Sequence, residues 1–141
     1  MNFVRYLGIC ILTAGCSTIT YSGPRRPREE VATIRTDGTE ILELDGTRWP
    51  SVRGVFEVLP GPHSLLVRLS YSQSTNPYVV VVVFSKYPQM VCFVAKPGRN
   101  YLSSFNELGG GRWEPRIFDQ ATLYWVSVRR PKPGQNDCLA R

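Results

Sequence analysis

Apolar residues in this chain recur at every second position, and that spacing is the strongest constraint on its fold. In residues 63–71, one face of a strand would carry Leu65, Val67, Leu69 and Tyr71, and the other would carry Ser64, Arg68 and Ser70, as in a strand with one buried face. Residues 78–84 are continuously apolar and mostly β-branched, which predicts a strand in the middle of a sheet, covered on both faces. No segment of even ten residues has the spacing of an amphipathic helix. The sequence therefore predicts an all-β fold.

Further short apolar segments are separated by turn residues. Asp37-Gly38 and Asp45-Gly46 are turn dipeptides, because glycine adopts a positive φ at little cost and aspartate tolerates it. Three consecutive glycines at 109–111 predict a hairpin tip. The other candidate strands are residues 31–34, 41–44, 52–59, 90–95, 101–105, 113–118 and 122–128. About eight or nine short strands at this spacing predict an antiparallel β-sandwich, which we expect to be monomeric.

The amino-terminal residues have the layout of a secretory signal. Arg5 precedes an apolar stretch at 6–12, too short to span a bilayer, and small residues at 13–15 precede Cys16. Ending in Ala-Gly-Cys, the segment resembles the lipobox of bacterial lipoproteins. That resemblance implies cleavage before Cys16 and acylation of its thiol and of the new amino group. Ser17 in the next position implies, by the same resemblance, an outer-membrane anchor, and we expect the domain to face the periplasm.

The lipobox resemblance and the composition together predict four parts: a signal peptide (1–15), an acylated cysteine with a flexible basic tether (16–28), a β-sandwich domain (29–128) and a basic Pro/Gly-rich tail (129–141). The tether contains two prolines and a glycine, and when extended it spans roughly 35–40 Å. That length predicts a domain standing clear of the lipid headgroups. The tether's arginines are either solvated or in contact with anionic lipid or lipopolysaccharide; they are Arg25, Arg26 and Arg28.

The length and the overall charge of the chain limit the number of domains and the kinds of partner. A chain of 141 residues, 43% hydrophobic and 20% charged, has room for one folded domain. The net charge is +6, and Arg129 and Arg130 in the tail are candidate contacts to an anionic glycan or lipid. Nucleic acid is not expected as a partner in a compartment outside the cytoplasm.

Two turns bracket a strand in a pattern that carries a second resemblance. Residues 41–46 read Ile-Leu-Glu-Leu-Asp-Gly, and residues 56–65 read Phe-Glu-Val-Leu-Pro-Gly-Pro-His-Ser-Leu. This DG…LPGxH pattern resembles small proteobacterial lipoproteins of unassigned activity and the PEGA-type surface module. The resemblance covers residues 29–71 and, less closely, 92–128. It implies a small β-sandwich in the envelope and no particular reaction.

His63 is the only histidine of the chain. We interpret it as a structural turn residue whose ring hydrogen-bonds to a backbone carbonyl of the turn. No G-x-S-x-G nucleophile motif and no phosphate-binding loop is present. Zinc needs three or four nitrogen or sulfur ligands, and the mature chain offers His63 and two widely spaced cysteines. We therefore expect no enzymatic activity, no cofactor and no metal.

Aromatic side chains are the one candidate recognition feature. Trp113 and Trp125 fall in predicted strands and are expected in the core. Trp49 falls in a predicted loop, where it is a candidate for stacking on a sugar or on a partner surface, with Arg48 beside it.

Cysteine usage predicts one disulfide bond, between Cys92 and Cys138. Removal of the signal eliminates Cys10 and acylation uses Cys16, so two thiols remain in an oxidising compartment. The alternative is that Cys92 is a buried free thiol, since cysteine is often fully buried.

Two functions of different classes fit these expectations. The first is a lipid-anchored envelope protein that acts as a non-enzymatic interaction or scaffold module, with an envelope protein or glycan as partner. The alternative is a carbohydrate-binding module that contacts peptidoglycan or lipopolysaccharide.

Overall fold

Strands dominate the residues that the structure, a computed structural model, describes: 17–52 and 54–126. The described part also contains a single 3-10 turn, Arg28–Glu30, and no α-helix. Accordingly, none of the described residues form a helix of the length and hydropathy needed to cross a membrane. The strands are β1 (Ser17–Ile19), β2 (Ala32–Thr36), β3 (Thr39–Leu44), β4 (Thr47–Val52), β5 (Val55–Val58), β6 (Gly61–Asn76), β7 (Val79–Phe84), β8 (Gln89–Ala95), β9 (Asn100–Gly109), β10 (Arg112–Asp119) and β11 (Tyr124–Trp125).

The strands form two packed sheets, so the predicted all-β sandwich is confirmed. The first sheet has the order β1-β5-β2-β9-β10-β11, and the second has the order β4-β3-β6-β7, with β8 also paired to β6. Two pairings of the first sheet, β1 with β5 and β2 with β9, are parallel. The prediction of a wholly antiparallel sandwich is therefore wrong for this sheet, because short loops join only antiparallel neighbours and these pairs are distant in sequence.

The core lies between the two sheets. On β6, Leu65 and Val67 are fully buried and Leu69 is nearly so, which confirms the alternation predicted from the sequence. Facing residues of the other strands complete one hydrophobic cluster, which includes Ile34, Phe56, Phe93, Tyr101, Trp113 and Ile117. Trp113 is thus in the core as predicted, whereas the prediction is wrong for Trp125, which is exposed on the short edge strand β11 and contacts Phe118 and Arg116.

The valine-rich segment is not in the middle of a sheet, contrary to the sequence prediction. Strand β3 begins at Thr39, which is opposite Leu69, so β6 continues past the sandwich to Asn76 with only β7 beside it. Within the described residues, β7 pairs with no strand other than β6. The run of β-branched residues therefore forms a strand, but at an edge.

The segment predicted as a flexible tether packs against the domain. Strand β1 pairs in parallel with β5, with Ser17 opposite Val55 and Ile19 opposite Glu57. The amide and hydroxyl of Thr20 both donate to the carbonyl oxygen of Glu57. The folded domain accordingly includes residues from Ser17 onward and not only those from Glu29, because these backbone donors find acceptors along the free edge of β5.

Candidate functional site

The main candidate site is the hairpin formed by the outer part of β6 and by β7, residues 70–84, which we call the docking hairpin. Tyr78 at its tip is 94% exposed and Val80 is 66% exposed, and the neighbouring valines are exposed as well. No charged residue occurs between positions 70 and 84. A six-residue apolar strand with an open edge is a surface that soluble proteins normally protect.

The two strands of the docking hairpin differ in polarity. Strand β7 is apolar throughout, whereas residues 72–76 of β6 are Ser, Gln, Ser, Thr and Asn. Opposed pairs such as Gln73 with Val81 and Ser72 with Val82 place one polar and one apolar side chain on each face. Each face of the hairpin therefore becomes more apolar toward the outer edge of β7. A strand that pairs with this edge would have the apolar side chains of β7 as its neighbours.

The base of the hairpin is fixed to the sandwich. The Arg68 guanidinium donates to the buried Glu40 carboxylate from Nε, at 3.0 Å, and from Nη2, and it lies 4.7 Å from the centre of the Phe84 ring. Ser85 donates its amide to the Leu69 carbonyl, and its hydroxyl oxygen accepts from the Leu69 amide. The docking hairpin is therefore presented in a defined direction.

An open groove of about 880 Å³ lies beside the base of the hairpin. Its other wall is the tip of the β9–β10 hairpin, where Gly109, Gly110 and Gly111 all have positive φ, as the glycine run predicted. The larger apolar side chains along the groove are Leu69, Tyr71, Val83, Phe84, Tyr87, Leu108 and Trp113. The apolar surface of β7 thus continues toward the sandwich.

The docking hairpin leaves the sandwich at the end where strand β1 begins. Val55, the partner of Ser17, lines a shallow groove together with Ser70, Tyr71 and Ser72 at the hairpin base. Cys16 itself lies outside the described residues. Because Ser17 follows it directly, a lipid on Cys16 would be attached at the same end as the hairpin.

A buried carboxylate, Glu57, holds the amino-terminal segment. It accepts hydrogen bonds from the Ser17 hydroxyl at 2.5 Å, from Arg25 at 2.5 Å and from the Tyr21 hydroxyl at 3.3 Å. Burial raises the pKa of the Glu57 carboxyl, but the hydrogen bonds from Ser17 and Arg25 and the charge of Arg25 outweigh it, so the pKa lies below its ordinary value. Sequence analysis missed Glu57, since nothing local marks a strand glutamate as buried.

His63 connects the two turns of the DG…LPGxH pattern. Asp45 and Gly46 both have positive φ and join β3 to β4 in a two-residue hairpin. The Asp45 carboxylate accepts from the Ser64 amide at 2.8 Å and lies 2.6 Å from Nδ1 of His63. Nε2 of His63 lies 2.6 Å from the Leu59 carbonyl oxygen, as predicted for a turn histidine. Both partners are acceptors, so both ring nitrogens donate and the arrangement favours the imidazolium.

This pairing predicts a pH-dependent stability. Burial lowers the pKa of His63, but the hydrogen bonds to Asp45 and Leu59 and the charge of Asp45 outweigh it and raise that pKa. The stabilisation is complete below the unfolded pKa of about 6.5 and is lost as the pH rises through the folded value. We expect His63→Ala to lower the free energy of unfolding by about 1–3 kcal/mol at pH 6 and by less at pH 9.

Urea unfolding at the two pH values measures this difference. Val67→Ala, which truncates a fully buried core side chain, is the control. It should lower the free energy of unfolding by the same amount at both pH values. An equal loss for His63→Ala at pH 6 and pH 9 would show that the ion pair does not stabilise the fold.

Trp49 and Arg48 do not form a common surface. The structure places both on strand β4 and not in a loop, so their side chains point to opposite faces. Trp49 packs against the core, and its indole nitrogen is buried with no hydrogen-bond partner among the described residues. The predicted loop position of Trp49 is therefore wrong, and its side chain is only partly exposed, whereas its role in stacking on a ligand stays a prediction. Arg48 is 87% exposed, with Glu43 at 4.0 Å.

Several predicted site residues lie outside the part that the structure describes. These are Cys16, Arg129, Arg130 and Cys138. Cys92 lies on β8 and is buried. Among the described residues, no three histidine, cysteine or carboxylate side chains are grouped so that they could hold a metal ion.

Comparison of the chain with protein-family models, with curated proteins and with solved structures found no match. The fold therefore rests on the strands and pairings described above, and a function has to be argued from the geometry of the site.

Proposed function

We propose that this protein is a lipid-anchored, non-enzymatic interaction module of the bacterial envelope, and that the docking hairpin is its binding element. The observation that carries the proposal is the exposed, uncharged strand β7, whose outer edge pairs with no strand among the residues that the structure describes. Left in water, such a strand is a template for uncontrolled pairing. A partner that covers it removes this hazard and gains both backbone hydrogen bonds and apolar contact.

The chemistry of the hairpin indicates the kind of partner. The outer edge of β7 offers backbone groups that a further strand can pair with, as in β-strand addition to an exposed sheet edge. A charged partner strand would find no opposite charge along residues 70–84. The partner is therefore a protein that contributes an extended, apolar and uncharged strand.

The anchor through Cys16 rests on the resemblance of residues 1–16 to the lipobox, and the geometry adds support. The docking hairpin and the start of β1 share one end of the sandwich. An acylated Cys16 would therefore hold the docking hairpin close to the membrane surface, where it can meet other envelope proteins.

The enzymatic alternative has no support in the described residues. His63 is the only histidine, and both of its ring nitrogens are engaged by Asp45 and Leu59, so it has no nitrogen available as a general base. The carbohydrate-binding alternative depends on an aromatic residue that can stack on a sugar, and the candidate, Trp49, packs partly against the core. Its other candidate contacts in the tail, Arg129 and Arg130, lie outside the described residues. The exposed hairpin therefore supports the interaction function better than the carbohydrate-binding one.

The size of the protein's native complex tests this function. We expect the detergent-solubilised protein to migrate from envelope extracts in a complex larger than the single chain. The double variant Val80→Lys, Val82→Lys places two charges on β7, where they oppose pairing with an apolar strand. It should shift most of the protein to the size of the isolated chain.

Val94→Lys is the matched control, because Val94 is a strand valine with 56% exposure that lies on β8, away from the docking hairpin. It should migrate like the unaltered protein. If the double variant also kept the size of the unaltered protein, the hairpin would not be the binding element.

A further inference from the structure

Four arginine side chains gather around one groove beside the amino-terminal strand. Arg25 and Arg26 come from the loop after β1, Arg28 begins the 3-10 turn, and Arg35 lies on β2. The groove has a volume of about 540 Å³, and Ser17 is among the residues that line it. Folding of the segment expected to be a free tether is what brings these side chains together.

The positive charge of this arginine groove is only partly neutralised. Glu57 is the one carboxylate that lines it, and the ion pair of Glu57 with Arg25 is 2.5 Å long. Within the part of the chain that the structure describes, no carboxylate forms an ion pair with Arg26, Arg28 or Arg35. Three guanidinium groups are therefore available to an anionic ligand.

The floor of the groove is polar as well. Thr33, Asn100 and Gln120 line it, and the Thr33 hydroxyl donates to Oδ1 of Asn100 at 2.5 Å. Hydroxyl and amide groups beside several guanidinium groups suit a phosphate, whose oxygens accept from arginine in a forked, two-bond geometry. A carboxylate ligand would use fewer of these donors.

We infer that the arginine groove binds the phosphate of an anionic lipid headgroup. Ser17 lines the groove and directly follows Cys16, so the proposed anchor would bring the groove to the headgroup layer. The location at the membrane rests on the proposed function, whereas the binding of phosphate rests on the arginines alone. Bound in this way, the domain lies against the membrane surface and does not stand away from it.

Vesicle flotation with the full chain carrying Cys16→Ser tests the groove without a contribution from acylation. We expect this protein to bind vesicles containing phosphatidylglycerol and not vesicles of phosphatidylcholine alone. Replacing Arg26, Arg28 and Arg35 with serine should weaken binding at least about tenfold, because each arginine near an anionic surface contributes to affinity.

A second triple variant controls for net charge. Replacing Arg48, Lys86 and Arg112 with serine removes the same charge from residues that do not line the groove. It should weaken binding by less than about twofold at physiological salt, where distant charges are screened. Equal losses in the two triple variants would overturn the site and leave only general electrostatic attraction.

Inorganic phosphate distinguishes the two sources of this ligand chemistry. If the ligand is a lipid headgroup, the protein should bind phosphatidylglycerol vesicles, and only a high concentration of free phosphate should release it from them. Phosphate could instead raise the melting temperature of the unaltered protein but not of the groove variant, while neither protein floats with vesicles. That result would keep the phosphate site and overturn the lipid headgroup as its ligand. No response to phosphate or to anionic vesicles would overturn the whole inference, and membrane fractionation would still report separately on the anchor.

Discussion

Cys16→Ser is expected to move this protein from the membrane to the soluble fraction after a high-salt wash. Each buried methylene of an acyl chain contributes about 0.8 kcal/mol, so two or three chains anchor a protein firmly, whereas none leaves only surface contacts. The salt wash removes those contacts, including any made by the arginine groove. The measurement is the share of protein in the pellet, together with labelling by radioactive palmitate.

Cys10→Ser is the matched control, since Cys10 lies in the predicted signal peptide and carries no acyl group in the mature protein. This variant should still pellet and take up palmitate. If Cys16→Ser pelleted like the unaltered protein and kept its palmitate, acylation of Cys16 would be excluded.

Loss of the predicted disulfide bond between Cys92 and Cys138 is expected to have the largest effect on stability. Val91 and Phe93 point into the core, so the alternation of the strand directs Cys92 to the outer face of β8. Val94 on that face is exposed, yet Cys92 is buried, which shows that Cys92 is covered locally. Closing a loop of roughly 45 residues stabilises a fold by about 4 kcal/mol in the chain-entropy account.

In denaturant unfolding without reductant, Cys138→Ala should have a lower free energy of unfolding than the unaltered protein. With reductant present, the two proteins should have similar free energies of unfolding. Intact mass before and after reduction reports the bond directly. Two thiols that alkylate freely in the denatured, unreduced protein, in addition to Cys16 if it is not acylated, would contradict the bond. Cys138 lies outside the described residues.

The sequence predicts the fold class because alternation is a local signal. Leu65, Val67 and Leu69 are buried where the period of two requires it, and Asp45-Gly46 forms the expected two-residue turn. These features depend on residues close together in the chain. The parallel pairs β1–β5 and β2–β9 depend on contacts between distant segments, which no local pattern encodes.

Contacts between distant segments also decide the parts of the candidate site that differ from the sequence prediction. A run of β-branched residues predicts a strand, but whether that strand is central depends on which strands pair with it, and β7 pairs only with β6 among the described residues. Proline and arginine content predicts a flexible tether, but the buried Glu57 that holds Ser17 and Arg25 comes from β5. The residues around Trp49 have no strand pattern of their own, and β4 forms there because it pairs with β3.

One sequence feature does point to the docking hairpin. Residues 70–84 form an uncharged stretch in a chain that is 20% charged, and β7 has none of the lysines or prolines that usually protect an edge. The sequence does not predict that β7 lies at the edge of its sheet. That position exposes the apolar strand as a candidate binding surface instead of burying it in the core.

Site-specific photo-crosslinking in living cells tests the docking hairpin most directly. A photoreactive amino acid at position 80, on the exposed side of β7, should yield a discrete crosslinked product with a protein partner. The same amino acid at position 94, with comparable exposure on β8, should yield none. Identical patterns from positions 80 and 94, or only the uncrosslinked chain from both, would contradict the claim that the hairpin is where this protein binds its partner.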